Sequence, residues 1–260
     1  MSTQSPQIVI AMQGVDVGAI RDLSRQVVTG VNWEVAAGEF WVVAGGQHAG
    51  KSDLLMMTAG LMPPTAGSYQ LFGQETRDFG EAELAKRLQV GFMFDHGQLF
   101  NKLTIAENIA LPLRYHRNLN EAEAEREISP LFDWLELTPY ADSFPVSLSR
   151  DWLKRAALAR ALVMRPRLLL CDHPLSGVGY RHRQWWLRFL DQLCQGLAQM
   201  GGQPMTVVVT AEDLLIWKSP NRRFALLKDK RFFSLGSWAE MEKANNPALE
   251  ELLGVETKIN

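Results

Sequence analysis

The residues with the clearest potential for chemistry form a glycine-rich loop, GGQHAGKS, at positions 45–52. The loop fits the phosphate-binding pattern G-x-x-x-x-G-K-[ST]. It stands between an apolar run and a run suited to a helix, which is the context that this pattern requires. Its glycines let successive backbone N–H groups point at phosphate oxygens, and the following helix adds the positive end of its dipole. The sequence therefore predicts a nucleotide-binding site here.

Within the loop, Lys51 is placed to reach the β- and γ-phosphates and Ser52 to hold Mg²⁺, so ATP and magnesium are the predicted cofactors. Asp53 is unusual, because a carboxylate in the first helical turn favours the helix dipole but repels a phosphate chain. It can act as a helix-start acid, weaken nucleotide affinity, or do both. The predicted nucleotide-binding residues are Gly45, Gly46, Gln47, His48, Ala49, Gly50, Lys51, Ser52 and Asp53.

Short apolar runs and helix-forming stretches alternate around this loop. Apolar runs typical of parallel strands covered on both faces lie at residues 40–44, 90–94, 168–171 and 207–209. Helices are predicted at residues 51–61, 120–136 and 149–164. This alternation predicts an α/β fold with right-handed crossovers. The segment at about residues 97–164 has a purely helical pattern, and we expect it to be an inserted helical subdomain.

Composition narrows the classes of function. A formal net charge of -2 and the lack of a Lys/Arg-rich run argue against a nucleic-acid binder. Cys171 and Cys194 match no zinc or redox spacing and are interpreted as packed thiols in a reducing compartment. The sequence has neither a signal-peptide pattern nor an apolar stretch of about 18 residues, the length of a membrane span. We therefore expect a soluble protein, or one that docks onto a membrane through a partner.

Four segments occur in the order found in the ATP-binding subunits of ABC transporters, a family that the sequence resembles over nearly its whole length. After the glycine-rich loop come VGFMFDHGQLFNKLTIAENIALPL, SLSRDWLKRAALARALVMRPRLLLCDHPLSGVG and TVVVTAEDL. The IALPL stretch and the terminal NNPALEELLG also resemble the ATPases of Mce/Mla-type lipid transport systems. The resemblance implies a P-loop NTPase of ABC type, with a RecA-like core, an N-terminal β-rich portion and the helical insertion. It places the ATP-binding domain at residues 1–240 and a C-terminal helical tail at residues 241–260.

The resemblance also locates the signature motif, which in the family closes over the ATP bound by the other subunit. LSRDW stands where the family has LSGGQ. Side chains at Arg150 and Asp151 would crowd the backbone approach to the phosphate, and the Asp151 carboxylate would repel it. The Arg150 cation would compensate in part. The signature residues are Leu148, Ser149, Arg150, Asp151 and Trp152.

The positions around Mg²⁺ and the attacking water depart from the family as well. Asp172 keeps the Walker B acid that binds Mg²⁺ through water, whereas Asp95 replaces the glutamine that senses the metal and the permease. His173 stands where a glutamate polarises the water, and Glu212 stands where the switch histidine belongs. Gly179 replaces the acid of the D-loop. The resemblance thus implies Ser52, Asp172 and Asp95 for the metal, and His173 and Glu212 for catalysis.

These departures predict ATP hydrolysis close to background, since general-base assistance alone is worth about 10² to 10⁴ in rate. Residues 14–32 contain no Phe, Tyr or Trp to stack on adenine, which together with Asp53 predicts weak nucleotide binding. Glutamate and histidine have nevertheless exchanged places, so one carboxylate and one imidazole remain near the phosphate. Either His173 accepts a proton while Glu212 orients it, or the exchange reflects drift after catalysis was lost.

The sequence leaves two functions open. The first is an ATP-binding subunit of an ABC transporter for lipids, in which ATP binding rather than turnover gives the signal. The second is a non-catalytic scaffold or regulatory subunit that pairs with an active ABC ATPase. The acidic balance disfavours a third, a soluble ABC protein that acts on ribosomes or DNA. The expected partners are an integral membrane permease and a second ABC ATPase subunit, identical or different, with no nucleic acid. The expected location is cytoplasmic, peripheral to the inner membrane through a partner.

Overall fold

One mixed sheet forms the centre of the structure. The computed structural model describes residues 7–76 and 87–244. The strands are β1 (Ile8–Ala19), β2 (Asp22–Ala36), β3 (Phe40–Gly45), β4 (Ala66–Leu71), β5 (Gln74–Glu75), β6 (Val90–Met93), β7 (Leu168–Cys171), β8 (Thr206–Ala211), β9 (Arg222–Lys228) and β10 (Arg231–Ser237). Within the described residues they form a ten-stranded sheet in the order β5-β4-β1-β2-β10-β9-β3-β8-β7-β6.

The helices begin where local chemistry satisfies their first backbone donors. In the described part of the chain they are α1 (Lys51–Thr58), α2 (Ile105–Arg117), α3 (Glu121–Trp134), α4 (Arg150–Leu162), α5 (Tyr180–Gln195) and α6 (Trp238–Ala244). Thr104 and Glu107 form a reciprocal capping box before α2, and Asn120 and Glu123 form one before α3. Asn120 and Ser149 are cap residues, so α3 and α4 each begin one residue later than the sequence pattern predicts.

The central strand β3 explains how the glycine-rich loop is held. It lies between β8 and β9, parallel to both, and all six of its residues are buried. Successive side chains point to opposite faces. Phe40 and Val42 join the core beneath α2 to α5, whereas Trp41 and Val43 join the core beneath α1 and the antiparallel strands. The predicted parallel strands are therefore confirmed, and the loop leaves a strand that is packed on both faces.

The two ends of the sheet differ in character. Strands β1, β2, β4 and β5 pair antiparallel, which confirms the predicted N-terminal β-rich portion. Residues 97–164 contain α2, α3, α4 and short 3-10 turns, with no strand in this fully described segment. The domain limits at residues 97, 164 and 240 stay predictions. Of the predicted tail at residues 241–260, residues 245–260 lie outside the described residues.

Two further expectations concern the thiols and membrane spans. Cys171 is buried and Cys194 is half-buried, and neither forms a disulfide. Burial raises the pKa of Cys194 to about 11 and raises that of Cys171 further. The prediction of packed thiols is therefore confirmed. None of the helices that the structure describes combines the length and the apolar composition needed to cross a membrane.

Candidate nucleotide-binding site

The glycine-rich loop connects the carboxyl end of β3 to the amino end of α1, as its sequence pattern predicts. Two of its glycines are required by their surroundings. A Cβ at Gly45 would lie 2.7 Å from the Leu227 carbonyl oxygen, and a Cβ at Gly50 would lie 2.8 Å from Val28 Cγ2. Gly50 also has a φ of 88°, a conformation that residues with side chains rarely adopt. The path of the loop therefore depends on glycine near both of its ends.

Lys51 places its ammonium group inside the loop. The residue is only 4% exposed, and Nζ donates to the carbonyl oxygens of Gly45 and Gly46 at 2.7 Å each. Burial lowers the pKa of Lys51, whereas the carboxylates of Glu212 and Asp172 act to raise it. Phosphate oxygens would be better partners than carbonyl oxygens, because hydrogen bonds between two ionised groups are the stronger ones. The arrangement therefore fits a phosphate chain.

Asp53 connects α1 to the turn between β1 and β2. Its Oδ1 accepts a hydrogen bond from the Ile20 backbone N–H at 2.9 Å. The large apolar side chains exposed at this turn are those of Ile20 and Leu23. Asp53 also lines the cavity beside the loop, so its charge reaches the space where a nucleotide would lie. The structure thus shows Asp53 as a helix-start acid with a structural bond, and its effect on nucleotide affinity stays a prediction.

A cavity of about 430 Å³ lies beside the loop and brings together residues that are distant in sequence. Among the signature residues, all of which the structure describes, Arg150 lines this cavity and the other four do not. Asp172 does not line the cavity and is 6% exposed. The lining residues are Gln47, His48, Ala49, Gly50, Lys51, Ser52, Asp53, Asp95, His96, Arg150, His173, Ser176 and Glu212. The cavity therefore brings together most of the predicted phosphate-binding residues with Asp95, His173 and Glu212, whereas the predicted Gly45 and Gly46 do not line it.

Asp172 is oriented by a threonine that the sequence analysis missed. The Thr210 hydroxyl donates to Asp172 Oδ1 at 2.7 Å and accepts a hydrogen bond from the His173 backbone N–H at 2.8 Å. Thr210 is buried on β8, and the parallel pairing of β7 with β8 brings it beside Asp172. The available signal was a polar residue at the end of an apolar strand, two positions before Glu212. Thr210 thus fixes both the Walker B carboxylate and the residue that follows it.

His173 is held in an uncommon backbone conformation. Its φ is 45°, in the left-handed region that few residues other than glycine adopt. The bond to Thr210 holds its N–H, and Lys154 Nζ donates to its carbonyl oxygen. The imidazole is 16% exposed, with Nε2 4.0 Å from Asp172 Oδ1. Burial lowers the pKa of His173 and so favours the neutral ring, although Asp172 opposes that shift.

A buried lysine behind the cavity was also missed. Lys154 on α4 is fully buried, and its Nζ donates to Asp95 Oδ1 at 2.9 Å. Burial lowers the pKa of Lys154, whereas the hydrogen bond and charge of Asp95 raise it. No sequence pattern marked this lysine, because its helix has no clear polar face, and Lys154 and Arg155 are both buried in it. Asp95 is therefore an ion-pair partner in this structure, and its role toward Mg²⁺ stays a prediction.

The signature segment contacts the start of α5. Asp151 Oδ1 accepts a hydrogen bond from the Gly179 backbone N–H at 3.0 Å, and Asp151 Oδ2 lies 3.8 Å from His182 Nε2. Trp152 packs against the rings of Tyr140 and His182. The Asp151 carboxylate thus faces the backbone N–H of Gly179, which caps α5, and the imidazole of His182 in the first turn of that helix. The resemblance places the D-loop acid of the family at position 179, where glycine avoids a like charge beside Asp151.

Comparison with known proteins identifies the class. Residues 28–176 match the sequence model of the ABC transporter family, and this match covers more than half of the chain. The chain therefore belongs to the ABC transporter family. The dimeric post-hydrolysis structure of the ATP-binding cassette MJ0796 bound to ADP and Pi is similar, with a TM-score of 0.76 and 26% identity. The match covers 88% of this chain and 100% of the MJ0796 chain. The predicted ABC-type P-loop NTPase fold is confirmed.

Two curated relatives carry more specific names. Methionine import ATP-binding protein MetN 1 of Salmonella typhimurium is 39% identical over 154 residues, which cover 59% of this chain and 45% of that protein. Methionine import ATP-binding protein MetN of Lacticaseibacillus paracasei is 31% identical over 237 residues, which cover 89% of this chain and 65% of that protein. The chain thus spans between 45% and 65% of the length of these relatives. The narrower resemblance to lipid transport ATPases stays a prediction.

Proposed function

We propose that this protein is the ATP-binding subunit of an ABC transporter and that it binds Mg·ATP through residues 45–52. The proposal rests on the buried Lys51 ammonium, which bonds carbonyl oxygens of its own loop beside a cavity of about 430 Å³. A phosphate chain would give this ammonium stronger, charge-assisted hydrogen bonds. The related cassette with ADP and Pi supports a nucleotide over other anions.

The remaining residues of the cavity fit a nucleotide with its metal. The backbone of residues 47–52 would hold the phosphates at the amino end of α1. Magnesium usually takes one or two protein ligands and completes its coordination with phosphates and water. Ser52 lines the cavity, and Asp172 Oδ1 lies 4.0 Å from Nε2 of His173, which also lines it. We therefore assign the metal to Ser52 and Asp172. When bound, Mg²⁺ would neutralise part of the phosphate charge.

The proposal includes slow hydrolysis. The carboxylate that the family uses at position 173 is replaced by an imidazole, and the backbone of this residue is held by Thr210 and Lys154. A neutral His173 can accept a proton, and Glu212 faces the same cavity, which leaves room for low residual activity. ATP binding rather than turnover would then give the signal to the transporter.

The proposed assembly contains an integral membrane permease and a second ABC ATPase subunit. The related cassette is described as dimeric, and the two relatives are named as import proteins. We place the contact with the permease at residues 95–104. There Asn108 accepts a hydrogen bond from the Phe100 N–H and donates one to the Phe100 carbonyl, while the Phe100 side chain is 56% exposed. Through this contact the protein would lie at the cytoplasmic face of the inner membrane.

The transported substrate has two candidates. The IALPL stretch and the terminal NNPALEELLG favour a lipid, because they resemble Mce/Mla-type ATPases. The relatives named for methionine import favour a small polar solute. We propose the lipid class. The lipids and small molecules that copurify with the purified permease complex, identified by mass spectrometry, discriminate between the two.

A regulatory subunit that pairs with an active ABC ATPase is the second candidate function. The observation that favours it is that side chains at a predicted metal position and a signature position are bonded within the chain. Asp95 is paired with Lys154, and Asp151 is bonded to Gly179. A subunit of this kind would retain the fold and the dimer contact without depending on ATP turnover.

Calorimetric titration of Mg·ATP into the purified protein tests the proposed function. We expect weak but saturable binding, and its loss in Lys51→Ala. Lys243→Ala is the matched control. This variant removes the same charge from a lysine that is exposed on α6 and does not line the cavity. A protein that binds no ATP at millimolar concentration would contradict the proposal and leave the regulatory subunit. Copurification with a permease from membranes tests the assembly separately.

A further inference from the structure

Arg150 belongs to the signature segment, and its side chain nevertheless lines the cavity beside the glycine-rich loop of its own chain. By resemblance to the family, this segment is expected to act on a nucleotide held by the other subunit. Here Arg150 shares the cavity with Lys51 and Ser52 of the same chain. Its side chain is 43% exposed, so the guanidinium is accessible to a ligand.

Two contacts fix where this guanidinium lies. The bond from the Gly179 N–H to Asp151 holds the start of α4 against the start of α5. The Arg150 side chain then runs across Gly177, where a Cβ would lie 2.7 Å from Arg150 Nη1 and 2.9 Å from its Cζ. The glycine at position 177 therefore leaves the space that the arginine occupies, and the cation is held at the edge of the cavity.

The charge of Arg150 is only partly neutralised. Its Nη2 lies 3.5 Å from Asp95 Oδ1, the same oxygen that receives the Lys154 hydrogen bond at 2.9 Å. One carboxylate thus serves two cations. Among the described residues, no second carboxylate forms an ion pair with Arg150. An anion in the cavity would complete the neutralisation of Arg150, because Arg150 shares the Asp95 carboxylate with Lys154. A guanidinium can also bind two phosphate oxygens at once.

We infer that Arg150 is a phosphate ligand in cis, which binds the terminal phosphate of a nucleoside triphosphate held by the loop of the same chain. This inference rests on the proposed binding of Mg·ATP. Arg150 shares the cavity with His173 and Glu212, which follow β7 and β8 at the end where a terminal phosphate would extend past Lys51. One chain then supplies both the loop and the arginine, and the signature position serves its own site.

Titrations of Mg·ATP and Mg·ADP into Arg150→Ala test the inference. Loss of a charge-assisted hydrogen bond should weaken ATP binding about ten- to a hundredfold while changing ADP binding little. Arg150→Lys should retain part of the ATP affinity, because it keeps the charge without the fork. Arg188→Ala is the matched control, since Arg188 is exposed on α5 outside the cavity. Thermal unfolding confirms that each variant is folded.

The outcomes separate the inference from the proposed function. An unmodified protein that binds no Mg·ATP overturns both, whereas equal ATP affinities in the unmodified and Arg150→Ala proteins overturn the inference alone. Mixing Arg150→Ala with Lys51→Ala distinguishes cis from trans, because the second variant supplies Arg150 without a working loop. We expect the mixture to keep the weak affinity of Arg150→Ala. Recovery of tight binding would show that the arginine comes from a second copy and would overturn the inference.

Discussion

Lys154 Nζ lies 2.9 Å from Asp95 Oδ1, and this ion pair joins α4 to the segment that follows β6. The same ammonium bonds the carbonyl oxygen of His173, next to the Walker B acid. Buried ion pairs are retained only where good geometry offsets the loss of hydration. Lys154 is fully buried, and Asp95 supplies the negative charge that its ammonium group needs. Asp95 therefore has a structural role of its own, beyond standing where the family has a glutamine.

The first prediction concerns the stability of this pair. Asp95→Ala leaves a buried ammonium with one partner fewer, and we expect the free energy of unfolding to fall by about 3 kcal/mol. Lys154→Met should cost less, because Asp95 is partly exposed and can be solvated. The double variant should be more stable than Asp95→Ala alone. Denaturant unfolding of the four proteins measures the coupling, and strictly additive effects would contradict it.

The second prediction concerns nucleotide affinity at the start of α1. Asp53→Asn keeps an oxygen that can accept the Ile20 N–H while it removes the negative charge that lines the cavity. We expect Mg·ATP to bind several-fold more tightly at low salt, with a smaller gain at high salt because the effect is electrostatic. Calorimetry measures both. Asp53→Ala is the comparison variant, since it removes the hydrogen bond as well and should lower thermal stability. An unchanged affinity in Asp53→Asn would show that the carboxylate does not influence the phosphates.

The third prediction concerns docking to the permease. Phe100 is 56% exposed at a loop that Asn108 holds through both backbone groups of the phenylalanine. Phe100→Asp should therefore reduce copurification with the permease without unfolding the protein. Tyr115→Asp is the control, because Tyr115 is 76% exposed on α2 outside residues 95–104. If both variants lose the complex equally, or if neither loses it, the contact with the permease lies outside Phe100 and its loop.

Sequence reasoning succeeded where neighbouring residues determine the structure. The loop at residues 45–52 was predictable because its glycines, its lysine and the flanking apolar run are contiguous.

Other features depend on contacts between distant segments, which a single sequence does not reveal. Thr210 reaches Asp172 only because β7 and β8 pair in register. Lys154 reaches Asp95 across the packing of α4 on the sheet, and its helix shows no polar stripe that would mark it. The cis position of Arg150 depends in the same way on the space left by Gly177.

The last prediction concerns turnover. We expect ATP hydrolysis close to background in the protein alone and with its partners. By resemblance to the family, position 173 lacks the catalytic carboxylate and Glu212 stands in place of the switch histidine. Asp151 in the signature is bonded to the Gly179 N–H. Phosphate release at saturating Mg·ATP measures the rate, with Lys51→Ala as the baseline for contaminating activity. General-base assistance is worth about 10² to 10⁴ in rate, so the rate of hydrolysis should be well below that of an intact ABC ATPase.

The exchange of histidine and glutamate makes this prediction sharper. If the exchange is drift, His173→Glu should restore little, and His173→Glu combined with Glu212→His should also fail while Arg150 and Asp151 occupy the signature. If the exchanged pair works, the unmodified protein should exceed the Lys51→Ala baseline, and His173→Ala and Glu212→Ala should each abolish the excess. A rate close to that of an intact ABC ATPase would contradict slow turnover in either case. A rate at the baseline would mean that the loop serves ATP binding without hydrolysis, because its buried lysine still provides an anion site.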